Sequence, residues 1–208
     1  MKFWDEFKEI AAKCKCFVDI GAQKAQYANL ADQVMTDSKI YSIEPFNTYF
    51  NTHLKKWEKV PSTNKKVAIN KIISDEVGTG KLFVEYGSPV VENILKRDWI
   101  DRESRHIEVP MTTLDIEFKD ILDEIDIVKM DVEGYENHIL RGSQELLSKN
   151  VKYWFIEVHD TLLEKINEDK QYLLYLFKKH GYKENLVYLK GRDENNRNEI
   201  FSYYIFSK

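Results

Sequence analysis

The sequence predicts an α/β fold: a doubly wound, mostly parallel sheet that closes in a C-terminal antiparallel hairpin. Three observations carry this expectation. Short apolar runs alternate with stretches of helical periodicity from Cys16 to His180. Several of those runs end in an acid, as Lys39–Glu44 and Ile125–Asp131 do. The last two extended runs, Tyr182–Leu189 and Glu199–Phe206, are separated only by the polar stretch Lys190–Asn198. Strand–helix alternation builds parallel strands through crossovers, and two strands joined directly pair antiparallel.

Taken in order, Phe3, Phe7, Ile10 and Ala11 fall at helical spacing and predict a short amphipathic helix packed on the domain. Cys16–Ile20, bounded by turn signals, reads as a strand buried on both faces. Tyr27–Met35 reads as a helix and Lys39–Glu44 as the second strand. Phe46, Tyr49, Phe50, His53, Leu54 and Trp57 trace one face of a single helix. Val67–Ile73 is the expected third strand, Gly78 and Gly80 mark a turn, and Lys81–Tyr86 is extended. Gly87–Arg105 reads as loop plus a short helix, with Arg97 and Trp99 suiting an acceptor lid. Ile107–Leu114 and Ile125–Asp131 are strands, and Glu136–Lys149 is a helix in which Gly142 marks close packing or a break. Tyr153–Val158 is a strand, and Asp169–His180 a helix ended by Gly181.

The 208 residues suit one domain, with 1–15 as an N-terminal helix and 16–208 as the core. A hydrophobic content of 43% is that of a globular chain rather than a disordered one. With a net charge of −4 and scattered Lys and Arg, nucleic acid is not an expected partner. No run approaches the ~20 apolar residues that span a bilayer, so integral membrane association is not expected. Cys14 and Cys16 stand one residue apart, too close for a relaxed disulfide. Reduced thiols make the cytoplasm the expected compartment. Oligomeric state leaves no mark in the sequence.

Ligands of open α/β sheets bind beyond the carboxyl ends of the strands, near the point where strand order reverses. The first strand ends in Asp19-Ile-Gly21-Ala22, where Gly21 permits a tight turn and close approach to a ligand. Glu44, 25 residues after Asp19, ends the second strand. It fits either an acceptor for both hydroxyls of a ribose or a polar residue before the helix that Pro45 opens. Asp131-Val-Glu133-Gly-Tyr-Glu136 and Glu157-Val-His159-Asp160 end two later strands. Ionisable groups gathered on one sheet edge are expected of a site, although Glu133 or Glu136 also suits a helix start.

These segments resemble the FkbM-type methyltransferases. Phe17-Val-Asp-Ile-Gly-Ala22, Ser42-Ile-Glu-Pro45, Ile73-Ser-Asp-Glu-Val-Gly78, Thr113-Leu-Asp115, Val128-Lys-Met-Asp-Val-Glu-Gly-Tyr-Glu136 with Leu140-Arg-Gly142, and Ile156-Glu-Val-His159 follow the family's order. The Asp-Val-Glu-Gly-x-Glu string is the most specific of them. The resemblance implies a class I methyltransferase, Rossmann-like fold with a seven-stranded sheet and S-adenosyl-L-methionine as cofactor. It implies Asp19, Gly21 and Ala22 beside the methionine part, Glu44 on the ribose, and Ser74 and Asp75 near the adenine. It further implies a small-molecule or glycan acceptor: a hydroxyl of a surface polysaccharide, glycolipid or polyketide. The family usually has Asn and Gly where this chain has Gln23 and Ala25, and a methyl group there adds bulk near the cofactor.

The expected reaction is in-line methyl transfer to an acceptor oxygen. His159 is the expected base, because an imidazole at its usual pKa is half ready at neutral pH. Glu157 orients it or binds the acceptor, and Asp131 joins them at the catalytic centre. Asp131, Glu133 and Glu136 hold substrate hydroxyls. A divalent ion on Asp131, Glu157 and His159 is the less favoured arrangement. Two other classes compete. A nicotinamide-dependent oxidoreductase would need a G-x-G-x-x-G turn, which Gly21-Ala-Gln-Lys-Ala25 lacks. A catalytically silent relative acting in binding or assembly would tolerate Ala25.

Overall fold

The computed structural model describes residues 3–84, 92–93, 105–191 and 200–208. Helix α1 (Phe3–Ala11) leads into β1 (Cys16–Ile20), α2 (Gln26–Val34) and β2 (Lys39–Ile43). Helix α3 (Asn47–Tyr49), a π-helical turn (Phe50–Leu54) and α4 (Lys55–Lys59) follow, then β3 (Lys65–Ile69). Four short strands come next: β4 (Ile72–Ile73), β5 (Gly78–Val84), β6 (Glu92–Asn93) and β7 (Arg105–Thr112). After α5 (Leu114–Glu117) and a 3-10 turn (Leu122–Glu124), the chain enters β8 (Ile127–Asp131), α6 (Glu136–Arg141) and α7 (Gln144–Ser148). It ends with β9 (Tyr153–Val158), α8 (Asp160–Lys165), α9 (Lys170–Lys179), β10 (Lys183–Gly191) and β11 (Ile200–Ser207).

Seven strands form the main sheet in the order β10-β11-β9-β8-β1-β2-β3. All neighbours from β9 to β3 run parallel, and β11 is the one reversed strand, antiparallel to both β9 and β10. The predicted mostly parallel sheet with a terminal hairpin is therefore present. Side chains of the central strands alternate between two cores. Phe17, Ile40, Ile127 and Phe155 pack with α1, α2 and α4 on one face. Val18, Ile43, Val128, Trp154 and Ile156 pack with α6, α7 and α9 on the other. Burial on both faces explains why these strands read as continuous apolar runs.

The second face also receives a sheet that the sequence reading did not foresee, ordered β4-β7-β5-β6. Its Ile72, Ile73, Leu82 and Val109 join the same core as Val18 and Val128. Three expectations change as a result. Val67–Ile73 is two strands in different sheets rather than one. Gly78 and Gly80 begin β5 instead of forming a turn, and Leu114 starts α5 rather than ending a strand. Glu136–Lys149 is two helices, α6 and α7, with the break and the close packing expected at Gly142, where a Cβ would sit 2.1 Å from the Ser74 carbonyl oxygen. Helix α8 was not foreseen at all.

The face predicted for Phe46–Trp57 is real but not one α-helix. The Lys55 N–H reaches back to Phe50 O, five residues away, and the wide turn lets Tyr49 and Leu54 both be buried. Apart from Glu92–Asn93 and Arg105, the loop, helix and lid expected over Gly87–Arg105, with Arg97 and Trp99, fall outside the described residues. So does most of the Lys190–Asn198 loop. Among the described residues no helix is long and apolar enough to cross a membrane. Cys14 and Cys16 are free, buried thiols whose pKa values burial pushes up to about 11 and about 12.

Candidate functional site

The chain runs from β1 outward to β3 on one side and returns to continue from β8 on the other, so strand order reverses between β1 and β8. A cleft enclosing about 560 Å³, part of it open solvent, lies beyond the carboxyl ends of β1, β2 and β8. Ile20, Gly21 and Gln23 line it from β1, Glu44 and Pro45 from β2, and Asp131, Val132 and Glu133 from β8. The second sheet closes it with Ile72, Ile73 and Leu82. Those apolar walls escaped the sequence reading because they belong to the unforeseen sheet.

Gly21 has a φ of +75°, and a Cβ there would stand 1.9 Å from the Asp131 carbonyl oxygen. The β1 and β8 ends can approach this closely only with glycine at that place. Its N–H and that of Ala22 both donate to Ile43 O, tying the turn to β2. Glu44 is 2% exposed, yet its carboxylate lines the cleft. Oε2 accepts from the Gln23 N–H and Oε1 from the Phe46 N–H, both at 2.8 Å. Burial pushes its pKa up to about 7, against the pull of these two N–H groups. Each oxygen keeps lone-pair capacity for one more donor.

Asp19 lies behind this wall, fully buried and not on the cleft. Its Oδ1 faces Lys129 Nζ at 3.3 Å and its Oδ2 accepts from Ser42 Oγ at 3.4 Å. Burial raises the Asp19 pKa while Lys129 opposes the rise. Lys129 also donates to Gly21 O at 3.1 Å, stands 3.8 Å from Asp131, and lies 5.1 Å above the Tyr27 ring. Burial works against its charge, but Asp19 and Asp131 outweigh burial and hold its pKa above the lysine range. Sequence reasoning gave Lys129 no role. The available signal was a lysine inside an apolar strand, a place where a charge needs a partner.

At the ends of β8 and β9, where Asp131 and Glu157 stand in register, the second cluster forms around His159. Its Nε2 faces Asp131 Oδ1, Glu133 Oε2 and Glu157 Oε1, each at 3.8 Å, beyond hydrogen-bond reach. Its Nδ1 lies 2.8 Å from Glu136 Oε1, which also accepts the Gly134 N–H at 3.1 Å. Glu133 holds a left-handed φ of +55°, a strained conformation for a non-glycine residue and one concentrated at functional sites. Burial alone would lower the His159 pKa; Glu136, Glu133 and Asp131 reverse that and bring it up to about 10. The acids around it thus favour the protonated imidazole over the half-deprotonated one expected from the sequence. Glu157 goes up to about 8, through burial first and then Asp131.

Several other expected residues stand away from the cleft. Ser74 pairs with the Tyr135 hydroxyl at 3.0 Å, and Asp75 takes Arg141 Nε at 2.9 Å. Despite partial burial, Arg141 and Ser74 hold the Asp75 pKa below the usual carboxylate range. These two residues fasten β4 to α6 and do not line the cleft. Ala22 packs into the core beside α1 and α2. Glu136 is 0% exposed behind His159, so it orients the imidazole and is out of reach of a substrate. Asp160 turns away to Ser202 and Lys170. Thr113 and Asp115 cap α5 and α7, through the N–H groups of Ile116, Glu145 and Leu146.

Strand order, the switch-point cleft and the acid that ends the second strand together fit the class I S-adenosylmethionine-dependent methyltransferase fold. The chain matches the Methyltransferase FkbM domain over residues 19–184 and belongs to that family. Among solved structures it is similar to an FkbM methyltransferase from Methylobacillus flagellatus KT, with TM-score 0.54 and 15% identity over 92% of this chain. This chain spans 44% of that protein's length. It is also similar to the magnesium protoporphyrin IX methyltransferase of Synechocystis PCC 6803 with bound SAH, with TM-score 0.53, 9% identity and coverage of 99% of this chain and 82% of that one. TrmK of M. capricolum, in complex with S-adenosylhomocysteine, gives TM-score 0.51 and 15% identity over 100% of this chain and 69% of that one. No curated protein sequence matches.

Proposed function

We propose that this methyltransferase uses S-adenosylmethionine to methylate a hydroxyl of a sugar, glycolipid or natural product, as in polysaccharide biosynthesis, and that it works in the cytoplasm. The observation that carries the reading is Glu44, a cleft-lining carboxylate with one lone-pair site filled on each oxygen and one left open. Two vicinal hydroxyls of a ribose are the donors that fit it. Gly21 supports the same reading, since it keeps the cleft floor free of a side chain. Gly21, Gln23 and Glu44 would hold the cofactor, with Asp19 acting from behind through Lys129. When bound, the cofactor supplies an electrophilic methyl group on sulfur.

The remaining work falls to the chain's own residues. Asp131 and Glu133 line the cleft and can accept hydrogen bonds from acceptor hydroxyls. Asp131 and Glu157 stand in register and take up the proton that leaves the acceptor oxygen. His159, fixed by Glu136 behind its ring, faces these carboxylates and helps position them. Alignment of oxygen and methyl contributes up to about 7–11 kcal/mol, more than the ~10²–10⁴-fold of a positioned base. The acidic cluster also favours a neutral acceptor over a phosphorylated or nucleic-acid one.

Calorimetric titration with S-adenosylhomocysteine tests the cofactor assignment. The wild type is expected to bind, and Glu44→Ala to bind about a hundredfold more weakly, the loss of two hydrogen bonds to a charged group. A folded wild type that binds none overturns the reading. Retained binding then justifies a screen of hydroxylated sugars as methyl acceptors.

A further inference from the structure

At the ends of β8 and β9 the described residues gather acids about a single buried histidine. Asp131, Glu133, Glu136 and Glu157 surround one imidazole, and the nearby Lys129 is shared with Asp19. We propose that Asp131, Glu133 and His159 bind one divalent metal ion of the manganese class, at the mouth of the cofactor cleft.

The geometry supports this on three independent points. One ligand atom from each of the three residues lies within 4.8 Å of the others, and His159 Nε2 stands 3.8 Å from both carboxylate oxygens. Ligands about 2.0–2.2 Å from a common ion lie roughly 3–3.5 Å from one another, so the two His159 contacts close by less than about 1 Å and the carboxylates must draw together by up to roughly 1–2 Å through side-chain rotation. The contacts from His159 Nε2 to the two carboxylates, at 3.8 Å, are longer than hydrogen bonds. The second point is the imidazole itself, 3% exposed, with Nε2 aimed into the acids and Nδ1 held by Glu136 at 2.8 Å. A carboxylate behind one ring nitrogen fixes the ring so that the other faces a metal. The third is access: Asp131 and Glu133 keep 30% and 29% of their side-chain surface and line the cleft, whereas Glu136 is sealed.

One nitrogen and carboxylate oxygens select the ion. Imidazole nitrogen suits zinc, iron and nickel, and carboxylate oxygen suits magnesium and manganese; with two oxygens to one nitrogen, Mn²⁺ is the ion we assign. Binding replaces the proton on Nε2 by the ion. The ion would then hold an acceptor hydroxyl oxygen and acidify it, leaving Glu157 beside it to take the proton. That role rests on the methyltransferase reading; the site itself does not.

The test is a titration of the chelator-treated protein with Mn²⁺, followed by electron paramagnetic resonance of the free ion and run without cofactor. One equivalent of signal should disappear at micromolar protein. Glu133→Gln, at a partly exposed position, and Glu136→Gln, behind the ring, should each weaken binding tenfold or more, and His159→Asn should abolish it. Absence of stoichiometric binding to the wild type, or wild-type affinity in the Glu133→Gln or His159→Asn variant, overturns the proposal. Mn²⁺ binding by a protein that takes no S-adenosylhomocysteine would overturn the proposed function and leave the metal site standing.

Discussion

At the end of β2, Glu44 receives a backbone N–H on each of its two oxygens, while at the ends of β8 and β9 Asp131, Glu133 and Glu157 face one imidazole across 3.8 Å gaps. The first arrangement is held by main chain and has vacancies only for further hydrogen-bond donors, so neutral hydroxyls suit it. The second gathers carboxylates around a histidine at longer range, so it suits a cation or several hydroxyls together. Two acidic edges of one cleft thus differ less in residue type than in what already occupies their lone pairs. Lys129 lies between them, bonded to the Gly21 carbonyl of one edge and paired toward Asp131 of the other.

Breaking that link should have the largest effect. Lys129→Met leaves Asp19 buried beside an apolar chain, and removing one partner of a buried pair costs about 3–5 kcal/mol. Urea unfolding at neutral pH is expected to show that loss. Adding Asp19→Asn should recover most of it, since the orphaned charge is gone. If the single variant unfolds within 1 kcal/mol of the wild type on the ~0–1 kcal/mol scale of exposed pairs, the ion pair is not the link between the two edges.

The pH dependence of cofactor binding sharpens the contrast at an intermediate scale. Glu44 has a folded pKa pushed up to about 7 from an ordinary 4.5, so the folded protein binds this proton more tightly than the unfolded chain. Its contribution to stability is present below pH 4.5 and is lost as pH rises to about 7, at up to about 1.4 kcal/mol per unit. Ribose hydroxyls need the ionised form. Affinity for S-adenosylhomocysteine should therefore fall as pH drops below about 7, by up to tenfold per unit. Calorimetry at a series of pH values between 5 and 8 reads this directly, and a flat profile would show that Glu44 is not the ribose acceptor.

The same contrast separates what the sequence announces from what it conceals. Strand ends are legible, because an apolar run closed by Asp131 or Glu44 follows from burial on both faces and solvent beyond the edge. Gly21 and Glu44 are therefore found by position alone. The roles of neighbouring acids are not legible, since they depend on which oxygen meets which donor in three dimensions. Glu133 and Glu136 look equivalent in the sequence, yet a left-handed residue puts one on the cleft and a helix start buries the other behind His159. The second sheet is hidden for another reason. Val67–Ile73 reads as one run, while the two-residue step between Ile69 and Ile72 carries the chain into a different sheet.

Ala25 bears on the cofactor edge and should matter least, contrary to the crowding expected from its sequence position. It adopts a φ of +60° at the start of α2, where a non-glycine residue is strained by about 1–2 kcal/mol. Its methyl group, however, is 1% exposed and packs in the core with Phe7 and Ala28 rather than in the cleft. Ala25→Gly removes the strain but also removes a buried methyl and raises the entropy of the unfolded chain, by about 0.4–1 kcal/mol for the last of these. The opposing effects should leave stability within about 1 kcal/mol of the wild type, and S-adenosylhomocysteine affinity unchanged. A gain of tenfold or more in affinity would mean that the backbone of this turn, rather than Glu44, sets how tightly the cofactor edge closes.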